Sequence, residues 1–270
     1  MAKGVCVIYF GVKSLVLASS EELLASAVKI LTEFFPGPVL VSEDEHGAYE
    51  FEITELEGGA VSLRTPFGIS EFGQWTQSAQ RAFRSYFRAV VAANAPAHLF
   101  LHAGCVKFQG RLFIFPGDSH SGKSTLVKEF LMSGAEYFSD EYAVLDSEGL
   151  VHPFPKPLSI RPELGSDGET AEIDPKVIAA KEASVPARLD YVIFTTYKSE
   201  AVWNPVKTTL SAGILALIPH SIGLHARAEF SLQILEKASK NALFFKGDRP
   251  DASDFVAILG HSLEKTGALT

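Results

Sequence analysis

The chain has 270 residues, 47% of them hydrophobic and 21% charged, enough apolar material for one large core or two modest ones and too little polarity for wholesale disorder. A formal net charge of −8 argues against a generic nucleic-acid binder, and two cysteines, Cys6 and Cys105, exclude a disulfide framework or a multi-cysteine metal site. No run approaches the roughly 20 apolar residues that a membrane helix needs, so no membrane partner is expected.

Residues 4–18 read as two strands around Gly11. The alternative, a signal peptide opening on Lys3, is set against Lys13 and the β-branched and aromatic residues of the run. The expected location is therefore the cytoplasm. Ser19 followed by Glu22 has the spacing of a capping box, and Leu23, Leu24, Ala27, Leu31 and Phe34 form an apolar helix face that ends at Pro36-Gly37-Pro38. Short strands follow to Ile69, with turns at His46-Gly47 and Gly58-Gly59. Residues 76–94 have the period of an amphipathic helix; Arg81, Arg84 and Arg88 lie off its apolar stripe and are expected on a solvated face. A boundary near Pro96 would leave a small α+β accessory domain over 1–95 and a nucleotide-binding domain over 96–270.

The second half opens with a strand over 98–108, a turn at Gln109-Gly110 and the apolar run Arg111–Pro116. Directly after it stands Gly117-Asp118-Ser119-His120-Ser121-Gly122-Lys123-Ser124-Thr125, which satisfies G-x-x-x-x-G-K-[ST]. The two glycines let successive backbone N–H groups turn inward onto phosphate oxygens. Lys123 supplies a point charge for the β- and γ-phosphates, Ser124 offers a hydroxyl to Mg²⁺, and the helix that follows presents its positive end. The preceding strand and the helical spacing of Leu126, Val127, Phe130 and Leu131 before Gly134 supply the context the motif requires; a purely structural glycine-rich turn is the competing reading. Strand, helix and second strand (137–139) imply a right-handed crossover with the two strands parallel. Asp140 and Glu141, at the end of the second strand, should then face the phosphates and complete the metal site or take a proton.

A hairpin over 143–151 leads into a proline-rich segment, 153–162, from which Lys156 and Arg161 could direct charge at phosphate. Residues 163–176 have the composition of a mobile active-site loop. A strand over 188–195, helices over 208–217 and 226–241, a strand at 242–245 and a helix over 251–265 complete the chain. His220 and His225 read as structural.

The order Leu101-His102-Ala103-Gly104, hairpin, phosphate loop, short helix ending in Gly134, then Ser139-Asp140-Glu141 resembles the catalytic domain of HPr kinase/phosphorylase and its relatives. The Pro-Lys-Pro-Leu stretch and a C-terminal helix pair resemble HPr-kinase-related proteins, and the likeness spans about residues 96–250. It implies an α/β fold with a mixed sheet related to phosphoenolpyruvate carboxykinase. It further implies an ATP- and Mg²⁺-dependent kinase acting on a hydroxyl of a protein serine or a small molecule, with self-association left open. Gly117, Gly122 and Lys123 would hold phosphate and Ser124 the Mg²⁺, with Asp140 as the base and His102 as an auxiliary group. Asp140-Glu141 stands where the kinases proper have two aspartates, and no Glu-Ile-Arg-Gly segment, tied to the phosphorylase direction, is present. The competing functions are a non-catalytic nucleotide-binding regulatory module and a nucleotide hydrolase or carboxykinase-like enzyme.

Overall fold

The computed structural model describes residues 3–42, 46–118, 121–160, 171–178, 181–266 and 269. Ser119, His120, Arg161 and most of the expected 163–176 loop lie outside that set. The chain divides into two compact units, Met1–Ala97 and His98–Thr270, each a mixture of helices and sheet.

In the first unit, β1 (Lys3–Tyr9) and β2 (Val12–Ala18) form a hairpin whose turn residues, Phe10 and Gly11, both have positive φ. Two left-handed residues in a two-residue loop match the twist of the flanking strands. Helix α1 (Glu21–Phe34) follows, then β3 (Leu40–Ser42), β4 (Tyr49–Glu55), β5 (Val61–Thr65), β6 (Gly68–Phe72) and helix α2 (Gln77–Asn94). The sheet runs β3-β1-β2-β4-β5-β6, with β2 and β4 parallel and the other pairs antiparallel. Phe83 and Phe87 of α2 pack against Phe51 of β4, the strand whose Glu50 and Glu52 occupy the other, wetter face.

Two sequence expectations need correction here. The cap of α1 is Ser20, whose hydroxyl accepts from the Leu23 N–H, while the Ser19 hydroxyl accepts from the Glu55 N–H and ties the helix start to β4. Arg84 and Arg88 are buried rather than solvated. Their guanidinium groups lie 4.3 Å from the Phe34 ring and 5.8 Å from the Phe35 ring, so α2 buries a second face against the C-terminal end of α1. Long cationic side chains can do this because their stems are apolar and the aromatic face attracts the charge.

The second unit comprises β7 (His98–Phe108), β8 (Arg111–Pro116), α3 (Lys123–Met132), β9 (Glu136–Ser139), β10 (Tyr142–Asp146), β11 (Leu150–His152), β12 (Leu158–Ile160) and β13 (Ala171–Ile173). It continues through β14 (Lys181–Glu182), β15 (Ala187–Arg188), β16 (Tyr191–Tyr197), β17 (Val206–Thr208), α4 (Leu210–Leu217), β18 (Ser221–Ile222), α5 (Ala228–Ser239), β19 (Leu243–Arg249) and α6 (Ala252–Thr266). The main sheet is mixed, with the path β15-β11-β10-β7-β8-β16-β19-β17, and β9 and β18 attach to β7.

β7 organises this unit. Its first half pairs with β10 and β18 through residues 98–102, and its second half pairs with β8 and β9 through residues 103–108. The change of neighbours falls at His102-Ala103-Gly104, beside the end of β8 and the end of β9. β8 and β9 are both antiparallel to β7, hence parallel to each other as the crossover rule requires, with β7 lying between them. β16 is parallel to β8 and β19 is parallel to β16, so three strand ends face the same edge. Below that edge, Phe113, Phe115, Phe130 and Leu126 pack with Val256 and Leu259 of α6 in one apolar layer. Leu99, Ile114, Val192 and Leu235 belong to a second layer.

Gly104 marks where α3 lies on β7: a Cβ there would sit 2.8 Å from Val127 Cγ2. Valine in a helix has little rotamer freedom with which to retreat. Gly104→Val should therefore cost about 1–3 kcal/mol through overpacking, read as a melting temperature lower by several degrees; an unchanged value would place α3 farther from the strand. Both cysteines are buried free thiols, and among the described residues no helix is long and apolar enough to cross a membrane.

Candidate phosphate-binding site

The loop leaves β8 at Pro116 and enters α3 at Lys123, with Gly122 at its N-cap in a left-handed conformation, φ 80°. That conformation favours glycine, which explains the second fixed glycine of the motif. At Gly117 a Cβ would fall 2.7 Å from Ser121 Oγ, so any larger residue would have to displace that hydroxyl. The Lys123 ammonium donates to the carbonyl oxygens of Gly117 and Asp118, each at 2.7 Å, and so closes the loop on itself. Ser121 donates its N–H to the Asp118 carbonyl at 3.2 Å, while its buried hydroxyl has no hydrogen-bond partner among the described residues. Thr125 is exposed at the first turn of α3.

Ser124 turns to the other side. Its hydroxyl donates to Asp140 Oδ2 at 3.0 Å. Asp140 is almost fully buried, and both of its oxygens are engaged: Oδ1 with the Tyr137 hydroxyl at 3.0 Å and the Lys156 ammonium at 2.9 Å, Oδ2 with Ser124 and the Ser159 N–H at 3.2 Å. Burial alone would raise the carboxyl's pKa. The Lys156 charge and hydrogen bond, with those from Ser159 and Ser124, outweigh it and hold the group below the ordinary carboxylate range. Glu141 is partly exposed, with Oε2 3.5 Å from Lys156 Nζ, and its carbonyl accepts from the Ala103 N–H at 3.1 Å, which ties the end of β9 to the neighbour-switch in β7.

His102 belongs to the same cluster. Burial lowers its pKa, and Lys123 and His220 push it further down against the pull of Glu141 and Asp118. The imidazole is therefore neutral at neutral pH and able to accept a proton. The structure thus brings His102, Lys123, Ser124, Asp140 and Glu141 together at one sheet edge.

Three groups were not anticipated from the sequence. A cleft of about 670 Å³ opens over Gly117, Asp118, Gly122 and Thr125, and its far wall comes from the ends of β16 and β19 and the start of α6. Arg249, the last residue of β19, lines it. It is 4% exposed, lies over the Tyr197 ring at 5.3 Å, and donates to the Gly122 carbonyl at 3.5 Å and to the Pro250 carbonyl at 3.1 Å. Its Nε has no hydrogen-bond partner and it forms no ion pair among the described residues. Burial works against its charge, which Tyr197 and the Asp251 carboxylate offset in part; an anion in the cleft would offset more. Lys246 also lines the cleft, as does His220, whose Nδ1 is 3.9 Å from Asp118 Oδ1. His220 is therefore placed at the loop mouth rather than in a purely structural position. The sequence signal available was Arg249-Pro250-Asp251 at the junction of a strand and a helix, which is informative only once β19 is known to end beside β8.

Arg249→Ala should weaken binding of ATP or of pyrophosphate by roughly 10–100-fold, as expected for loss of a desolvated charge contact, and Arg249→Lys should recover little because the fork geometry is lost. Equal affinity for wild type and Arg249→Ala in a calorimetric titration would remove the arginine from the site.

The oxygen donors fit a hard cation. The Ser124 hydroxyl and Asp140 converge, Glu141 is adjacent, and the Lys156 ammonium already stands in as a cation between the two carboxylates. Among the described residues no group of three or more His, Cys, Asp or Glu side chains could hold a metal alone. A Mg²⁺ here would take its remaining ligands from phosphate and water, its usual habit. A scan against protein-family models found no match, and a search of curated proteins found none.

Proposed function

We infer that the protein is an ATP- and Mg²⁺-dependent phosphotransferase with the α/β architecture of HPr-kinase-like and phosphoenolpyruvate carboxykinase-like domains. The observation that carries this reading is the convergence of a glycine-turned loop, its lysine, and a buried Ser124–Asp140 pair at one end of parallel strands. Residues 117–125 would cradle the triphosphate, Lys123 and Arg249 would neutralise it, and Ser124 with Asp140 would hold Mg²⁺. The bound cation would supply charge neutralisation between β- and γ-phosphates.

In this reading Asp140 is the ionised anchor of Ser124 and the cation rather than the proton acceptor that the family resemblance implies, because all of its hydrogen-bonding positions are engaged. His102 takes the acceptor hydroxyl's proton as the hydroxyl oxygen bonds to the γ-phosphorus and the bond to the β-phosphate oxygen breaks, leaving ADP. The acceptor is a hydroxyl of a protein or a small molecule.

One observation favours a second reading, a nucleotide-binding regulatory module: no carboxylate of the cluster is both free and deep in the cleft. ATP titration set beside a γ-phosphate transfer assay separates the two. Saturable binding with transfer to an acceptor or slow transfer to water supports the phosphotransferase. Saturable binding with γ-phosphate retained under all acceptors supports the module.

A further inference from the structure

Lys156 belongs to the short proline-rich strap between β11 and β12, and three prolines at 153, 155 and 157 stiffen it. The strap is tied to the site at several points. Phe154 donates its N–H to the Phe138 carbonyl at 2.8 Å, the Lys156 carbonyl accepts from the Tyr137 hydroxyl at 2.9 Å, and the Ser159 N–H reaches Asp140 Oδ2 at 3.2 Å. Its lysine is 6% exposed and lies between the two acids, 2.9 Å from Asp140 Oδ1 and 3.5 Å from Glu141 Oε2. Two further bonds fix the ammonium, to the Pro157 carbonyl at 3.1 Å and the Ser159 hydroxyl at 3.3 Å.

An ammonium held this way does two things at once. It neutralises a buried carboxylate that would otherwise be costly, and from the Oδ1 side it sets a positive charge that a cation held at the Ser124 side of the same carboxylate would have to face. Two cations within a few ångströms of one buried carboxylate repel strongly when water is excluded.

We propose that Lys156 is a built-in counter-ion that competes with the divalent cation for Asp140 and Glu141, so that metal affinity and the seating of the 153–160 strap are coupled. The inference rests on the phosphotransferase reading of the same site. Lys156 is a positioning residue that acts through Asp140, whose Oδ1 lies 2.9 Å from its ammonium. A divalent cation held by Ser124 and Asp140 would compete for Asp140 Oδ2 with the Ser159 N–H and so loosen the tie to the strap. Tight packing of the strap, conversely, weakens the metal.

The test is a calorimetric titration of Mg²⁺ into full-length protein held in saturating ADP, wild type against Lys156→Met. The methionine keeps the apolar stem and removes the charge. The expected result is tighter Mg²⁺ binding by the variant, by about tenfold, with Lys156→Arg close to wild type. Unchanged or weaker Mg²⁺ binding by Lys156→Met overturns the proposal; weaker ADP binding in the absence of metal also overturns it, since the lysine would then be a phosphate ligand. If Lys156→Met does not fold, hydrogen exchange in the wild type decides: Mg²⁺ added to the ADP complex should speed exchange of the Ser159 amide, and an unchanged or slower rate sinks the idea. Wild-type protein that binds no ADP defeats the nucleotide reading itself, an outcome distinct from a normal ADP titration with no effect at Lys156.

Discussion

Lys123→Ala should reduce affinity for ATP by about 30-fold or more. The ammonium bonds the Gly117 and Asp118 carbonyls at 2.7 Å each and so ties the start of the loop to the first residue of α3. Its removal takes a positive charge away from the loop and leaves the Gly117 and Asp118 carbonyls without the cation that now bonds them. Loss of a charged partner at a desolvated contact costs about 2–5 kcal/mol, which corresponds to roughly 30- to 5,000-fold in a dissociation constant. Stability should change little, because the hydrogen bonds it makes to Gly117 and Asp118 go to exposed or half-buried loop carbonyls. Fluorescence or calorimetric titration of ATP, with a thermal melt as control, checks both halves. A variant that binds ATP within threefold of wild type would mean that the loop is a structural turn.

Asp140→Asn should act on two properties that can be separated. The first is stability: an uncharged amide beside a 6%-exposed ammonium leaves Lys156 buried with only Glu141 as a charged partner. Breaking a buried pair from one side costs about 3–5 kcal/mol, and the remaining acid should hold the loss near the low end. The second is turnover. The amide can still accept one bond from Ser124 but brings no negative charge to a cation, so metal-free nucleotide binding should survive while transfer falls by about 10²–10³-fold, the scale of a lost electrostatic contribution to the transition state. Acid should mimic part of the first effect. The folded-state pKa of Asp140 lies below its unfolded value, so the stability it contributes is complete above the unfolded value near 4 and is lost as pH falls through the lower folded value. Urea midpoints for the wild type and Asp140→Asn should therefore converge in strong acid. Normal transfer by Asp140→Asn would remove the carboxylate from the chemistry.

The parts of the site that were legible in the sequence are those built from local chain. Strand, glycine loop and helix are contiguous, so Gly117, Gly122, Lys123 and Ser124 could be given roles from spacing alone, and the crossover rule placed Asp140 and Glu141 at the same edge. Residues delivered by distant segments were not legible. Arg249 and Lys246 reach the cleft because β19 and β16 follow β8 in the sheet, an order that no local pattern encodes. His220 arrives through the turn before β18, which pairs with β7 at Ser221 and Ile222. Lys156 was visible as a charge in a proline-rich stretch, but its direction, inward onto Asp140, depends on how the strap packs over Tyr137.

In the first unit the amphipathic period of α2 located Phe83 and Phe87 correctly and misplaced Arg84 and Arg88. A single-stripe reading assumes one packing partner, whereas α2 has the sheet on one side and α1 on another. The cap of α1 was read one residue early for a related reason: Ser19 and Ser20 are chemically equivalent in sequence, and only the position of Glu55 assigns one to the strand and the other to the helix.

Binding of the nucleotide by the loop between β8 and α3 is the claim on which the other readings depend, and hydrogen exchange of the full chain with and without Mg²⁺·ATP tests it most directly. The predicted result is slowed exchange confined to residues 117–125 and to the ends of β16 and β19, around Thr195–Tyr197 and Gly247–Arg249, abolished in Lys123→Ala. Unchanged exchange at 117–125 under saturating Mg²⁺·ATP, or protection elsewhere alone, would contradict it.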